Sequence, residues 1–98
     1  MIIYVAHAYG GQSSNFERAK RITHHLQCRD LQNTYICPLL AFSHLQYGEL
    51  GFDEEMELCL DILSQCDKII VASQISRGVR REIEFAKMVG MEIEYLEH

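Results

Sequence analysis

The chain has 98 residues, 48% hydrophobic and 23% charged, which suits one globular domain with a single modest core and leaves no room for two. Its net charge of −5 and the absence of any basic run argue against broad binding to nucleic acid or to anionic membrane surfaces. No apolar run approaches the ~18 residues of a membrane span and no secretory leader is visible, so a soluble cytoplasmic protein is expected.

Ile2 to Ala6 is a short apolar run, as a strand buried in a parallel sheet requires. His7 to Ser13 reads as a loop containing Gly10-Gly11. Ser14 is placed to cap the helix that follows, with Glu17 three residues on completing a capping box. Phe16, Ala19, Ile22, Thr23 and Leu26 form its inward face, and it runs to about Cys28. Asn33 to Cys37 is the second strand, ended by Pro38, the only proline.

Residues 38–52 read as an irregular loop. Leu39, Leu40, Phe42, Leu45, Tyr47, Leu50 and Phe52 are too apolar for a solvated linker, so the segment is expected to be a lid, a pocket wall or an oligomer contact. Asp53 opens the next helix, with Glu54 and Glu55 in a first turn where the helix dipole favours acids. Met56, Cys59, Leu60 and Leu63 supply its buried stripe. Lys68 to Ser73 is a third strand, a helix runs from about Arg77 to Val89, Gly90 stops it, and Met91 to Tyr95 is the last strand. Residues 1–95 thus form one domain, and Leu96-Glu97-His98 reads as an expression-tag remnant.

Strands alternating with helices predict α/β architecture: a small, doubly wound, flavodoxin- or Rossmann-like three-layer sandwich on a four-stranded parallel sheet. Ligands of such sheets bind beyond the carboxyl ends of the strands, at the point where the strand order reverses. The segments after the first and third strands, His7–Ser13 and Gln74–Gly78, should meet there.

Four cysteines, Cys28, Cys37, Cys59 and Cys66, show no C-x-x-C pair and no zinc-type spacing, so they read as reduced thiols. His24, His25 and His44 are scattered on polar positions, and neither a metal nor another cofactor is expected.

Ser76-Arg77-Gly78-Val79-Arg80-Arg81-Glu82 is the most telling stretch. Val79, Ile83 and Ala86 share one helical face with Gly90, and Val89 lies on its flank. Glu82 falls on the same inward stripe, whereas Glu84 points away. An inward acid behind a Ser-x-Gly loop at a helix N-terminus, which can present backbone N–H groups to an anion, is the feature that points to a pocket. Pairing of Glu82 with Arg77 or Arg81 is the plainer alternative. Ser76 is an N-cap under either reading.

Ile3-Tyr4-Val5-Ala6-His7-Ala8-Tyr9-Gly10-Gly11 at the start, Asp67 at the third strand, and Ser76-x-Gly78-Val79-x-x-Glu82-x-x-x-Ala86 together resemble the nucleoside 2-deoxyribosyltransferase-like superfamily. The likeness is greatest to small phage and prophage-type domains of unknown function within it and runs over nearly the whole chain. The resemblance implies N-glycosidic bond cleavage or deoxyribosyl transfer on a nucleoside or nucleotide. It implies Glu82 as nucleophile, Tyr4 positioning it, and Ser76 in the loop that holds the 5′ group. His7 joins the catalytic set as a candidate acid, and Ala8, Tyr9, Gly10, Gly11 and Gly78 join Ser76 as substrate-binding candidates. Pairing of subunits so that each completes its neighbour's site makes a homodimer the expectation.

The chain departs from that family's pattern at three places. The second acid is expected eight residues before Asp67, where Cys59 stands. Glu55 lies one turn earlier on a similar face, and Asp61 points elsewhere. His7 and Glu84 both replace glycines of the characterised hydrolases. A non-catalytic nucleotide-binding module, sequestering or sensing its ligand, is therefore the alternative expectation.

Overall fold

The computed structural model describes residues 1–96; the expected tag residues Glu97 and His98 lie outside them. Isoleucine, tyrosine and valine fill Ile2–Ala6, β1, because both faces of this strand are covered: from Ile3 to Ala6 it is buried throughout. The rest of the chain wraps around it as α1 (Ser13–Arg29), β2 (Thr34–Ile36), α2 (Pro38–Ala41), α3 (Phe52–Leu63), β3 (Lys68–Val71), α4 (Arg77–Met88) and β4 (Glu92–Tyr95). The sheet is wholly parallel in the order β2-β1-β3-β4, with Ile3 opposite both Tyr35 and Lys68, and Val71 opposite Tyr95. Asp67 locks the start of the register, accepting the Ile2 N–H at 2.8 Å through Oδ2.

Side-chain alternation along β1 and β3 divides the core into two layers. Tyr4, Ala6, Ile69 and Val71 face α3 and α4, where Leu63, Val79, Ile83 and Ala86 close over them. Val5 and Ala72 face α1 and pack with Ala19 and Cys37, flanked by Ile22, Leu26, Leu39, Leu40 and Leu96. Helix α1 with the short α2 on one face, and α3 with α4 on the other, make the three layers that the alternation predicts. Leu96 is part of the fold: it packs on the Val5 layer, and its N–H donates to the Val71 carbonyl at 2.9 Å.

Several local expectations are corrected. Ser14 does not cap α1. The helix starts two residues earlier, with Gln12 at the N-cap and no side-chain cap, because a backbone turn does that work. Gly10 and Gly11 adopt φ of 60° and 74°, a left-handed pair that sterics reserve largely for glycine. The Asn15 and Phe16 N–H groups then donate to the Gln12 carbonyl, and the Asn15 side chain donates to the Tyr9 carbonyl at 3.0 Å. The irregular stretch after β2 contains a short helix, α2, because Pro38 sits in its first turn, where a missing N–H costs nothing and φ is already set. Val89, expected on the flank of the buried stripe, is 53% exposed, since α4 ends at Met88 and Gly90 turns the chain at φ 72°. Cys66 is buried in the turn between α3 and β3.

The crossover from β1 runs outward to β2 on one side, and that from β3 runs outward to β4 on the other. The carboxyl ends of β1 and β3, adjacent in the sheet, are therefore the switch point and open a crevice between diverging connections.

Candidate functional site

The two loops at the switch point are tied together by a residue that sequence reasoning missed. Ser73 Oγ accepts the Ala8 N–H at 2.7 Å and donates to the Gln74 carbonyl at 2.9 Å. A serine just past the end of an apolar strand was the available signal, but a hydroxyl in that place usually serves only its own turn. Beyond this tie lies a cleft of about 460 Å³, within the range of small-molecule sites. Its walls come from the loop after β1, from α2 and the segment that follows it, from α3, and from the start of α4.

Glu82 lies on the inner wall. It is 4% exposed, and its Oε2 accepts a hydrogen bond from the Tyr4 hydroxyl. Burial raises its pKa to about 7, against the smaller, opposing effect of the Tyr4 hydrogen bond. Burial first, and the Glu82 charge second, push the Tyr4 phenol well above its ordinary value, so the tyrosine keeps its proton and donates it to the carboxylate. The plainer reading of Glu82 as an arginine partner is not what forms. Arg81 pairs with Asp53 at 3.4 Å, and the Arg77 guanidinium lies over the Phe52 ring at 3.8 Å.

Of the sequence-predicted residues, Glu82, His7, Tyr9, Gly10, Ser76 and Gly78 line the cleft. Tyr4 is fully buried and reaches it only through Glu82. Ala8 is buried behind the wall, its N–H engaged by Ser73. Gly11 underlies the rim instead of lining it: an added Cβ would come within 2.8 Å of the Tyr47 ring, which meets Tyr9 edge to face at 5.5 Å between centroids. Ser76 caps α4, accepting the Val79 N–H at 3.3 Å. Gly78 is close-packed too, since a Cβ there would sit 3.4 Å from Met56 Sδ. His7 is buried, with Nδ1 2.7 Å from the Ala8 carbonyl oxygen. A carbonyl only accepts, so Nδ1 carries the proton and Nε2 is the basic nitrogen of the neutral ring.

The segment after β2 takes one of its three expected roles. Leu39, Phe42, Leu45, Tyr47, Leu50 and Phe52 all line the cleft, so it is a pocket wall. From α3, Cys59 and Glu55 also line the cleft. Cys59 adjoins the Tyr4 hydroxyl, and burial with the nearby Glu82 charge pushes its thiol up to about 12. Asp61 is exposed, as its place on the helix requires. Among the described residues, no group of three or more His, Cys, Asp or Glu stands close enough to hold a metal ion.

Residues 1–96 match the family described as Domain of unknown function (DUF7768). The chain belongs to this family. No curated protein and no solved structure matches it significantly. Because the DUF7768 match spans every described residue, the cleft and all its walls lie within the family domain. No helix among the described residues is long and apolar enough to cross a membrane.

Proposed function

We propose that this domain cleaves, or transfers the sugar of, the N-glycosidic bond of a 2-deoxynucleoside or its nucleotide, with Glu82 as nucleophile. The reading places it in the nucleoside 2-deoxyribosyltransferase-like superfamily. The single observation that carries it is a buried, tyrosine-held carboxylate on the wall of a ligand-sized cleft at the sheet's switch point. Breaking a bond from an anomeric carbon to a base nitrogen develops oxocarbenium character, which an adjacent carboxylate stabilises and captures. Tyr4 fixes the orientation of that carboxylate. The cleft's apolar and aromatic wall, from Leu39 to Phe52, offers a base a surface to pack on while excluding water. Ser76, Gly78 and the first turn of α4 are the natural place for the 5′ end of the ligand.

The test is incubation with a panel of 2-deoxynucleosides and their 5′-monophosphates, with free base read by chromatography. Base release that falls by several orders of magnitude in Glu82→Ala supports the enzyme. Saturable binding with no release from the wild type overturns it in favour of the second reading, a non-catalytic nucleotide-binding module. One observation favours that second reading: the thiol of Cys59, pushed up to about 12, stands where an acid would be needed and is a poor proton donor near neutrality.

A cytoplasmic location and a homodimer belong to the same proposal. Tyr47 and Ile75, 60% and 50% exposed beside the cleft, are the residues a second copy would cover. Light scattering at tens of micromolar should give twice the chain mass, and a monomer there removes the dimer from the proposal.

A further inference from the structure

The two faces of the sheet are not covered alike. On the Tyr4 side, α3 and α4 close over β1, β3 and β4. On the other side α1 packs against β2 and the short α2 against β1, and no described helix packs along β4 there. That half of the face is a groove of about 520 Å³ beside α1. Ile22 and Leu26 of α1, with Ala72 and Leu96, form its apolar part. Its α1 bank carries Arg21, His25 and Arg29, all exposed and one helical turn apart. Arg29 Nη1 lies 3.2 Å from His25 Nε2, and among the described residues no carboxylate pairs with Arg21 or Arg29. The strand bank has the opposite sign. Alternation puts Lys68, Glu92 and Glu94 on the same face as Ala72 and Leu96, and Lys68 Nζ reaches both carboxylates, at 3.3 Å and 2.7 Å. One cation there serves two acids, so that bank stays negative.

We propose that this groove seats an amphipathic helix of a partner protein, one that presents a row of acids to Arg21, His25 and Arg29. Charge complementarity and spacing select that occupant. Cations repeating every four residues are answered by acids repeating every four residues on a helix lying alongside α1, whereas a small anion engages only one of them. The apolar part of the groove takes the stripe that such a helix must bury. Glu92 and Glu94 on the far bank call for basic or neutral residues on its other flank, and they repel the surface of an anionic membrane. A second copy seated through its own α1 would set like charges together, because α1 carries Arg18, Lys20, Arg21 and Arg29 against Glu17 alone. A second copy's α3 has the acids, but its Leu60, Ile62 and Leu63 are already committed to its own core. The groove lies on the face of the sheet away from Tyr4 and its partner Glu82, so docking there is independent of the reaction proposed above.

The test uses two synthetic amphipathic helices that share one leucine stripe. The first has glutamates along one flank and lysines along the other; the second has lysines along both. Binding of each is read by fluorescence anisotropy against the full chain, as wild type and as the doubly charge-reversed Arg21→Glu/Arg29→Glu. The glutamate-flanked helix should bind the wild type about tenfold more tightly or better than the all-lysine helix, and the preference should invert in the reversed chain. Binding to the wild type should also weaken as salt is raised. No saturable binding of the glutamate-flanked helix in the millimolar range overturns the inference. Equal binding to wild type and reversed chain overturns it too, by placing the helix elsewhere. A mass in light scattering that falls towards the monomer on charge reversal gives the groove to a second copy. Co-sedimentation with phosphatidylserine vesicles that is lost on reversal gives it to a membrane, and either result overturns the partner helix. Both substituted side chains are exposed, so thermal melts should match; if the double variant melts early, Arg21→Glu and Arg29→Glu singly carry the same comparison.

Discussion

Glu82 makes burial measurable as a pH dependence. Its carboxyl titrates near 7 when folded and near 4.5 in its ordinary state. Between those values the folded protein holds a proton that the unfolded chain has lost, so stability must fall as pH rises across this window and level off above it. The difference amounts to about 3 kcal/mol if the whole shift is realised. Denaturant unfolding of wild type and Glu82→Gln at pH 4.5 and pH 8 isolates it, because every other group titrates alike in the two proteins. The wild type should weaken relative to Glu82→Gln by about that amount at the higher pH, and a pH-independent difference contradicts a buried, ionisable Glu82. Catalysis by Glu82 as nucleophile runs the other way. It needs the carboxylate, so kcat/KM for base release should rise about tenfold per pH unit below 7 and level off above it. Position 82 was legible in the sequence because an acid stood on a stripe of Val79, Ile83 and Ala86. Its partner Tyr4 was named through the family resemblance and not from any local pattern, because the Tyr4–Glu82 contact spans 78 residues and only the sheet register brings the two together.

Secondary structure was read well where periodicity and end signals agreed. Ser76 sits at the foot of a strongly amphipathic helix, and both its cap and its first turn formed as the sequence implies. Removing that cap in Ser76→Ala should cost about 1 kcal/mol in denaturant unfolding, with no change in the pH dependence just described. The start of α1 was misread because two competing signals lay three residues apart, and the glycine pair prevailed over the Ser14–Glu17 box. Gly11 shows why that pair is needed. Its φ of 74° disfavours a side chain, and a Cβ would also meet the Tyr47 ring at 2.8 Å. Gly11→Ala should therefore destabilise by about 1–2 kcal/mol and loosen the contact between the loop after β1 and the cleft wall. Tyr47→Ala in the same chain should recover the steric share and leave the backbone share. A double-mutant cycle with no coupling between the two positions would show that the ring does not press on Gly11. The segment carrying Tyr47 was the hardest to read, since its apolar residues have no helical or strand period. Beyond α2 they face a cleft instead of a core, and a pocket wall imposes no repeat.

At the scale of the molecule, the parallel sheet was legible from alternation alone, because short strand-like runs alternate with amphipathic helices and the crossover rule leaves few topologies. What alternation could not supply was the cleft's construction from four separate parts of the chain. That construction has a consequence for stability. The walls come from the loop after β1, from α2 with the segment behind it, from α3 and from α4, so a ligand that fills the cleft bridges elements on both faces of the sheet. A ligand bound only to the folded state adds RT ln(1 + [L]/Kd), about 2.7 kcal/mol at a hundredfold excess over Kd. In a domain of 98 residues that corresponds to a rise in Tm on the order of 10 °C. The variant to use is Glu82→Gln, which keeps an acceptor for the Tyr4 hydroxyl but cannot form the glycosyl ester, so the ligand survives the scan. Melts of this variant with 2-deoxynucleosides and their 5′-monophosphates should show a saturable rise, largest for the ligand whose base is released fastest by the wild type. Inorganic phosphate and free deoxyribose are the controls for binding by one end alone. A Tm that stays flat in millimolar nucleoside and nucleotide removes nucleotide binding itself, and with it both the enzymatic reading and the non-catalytic one.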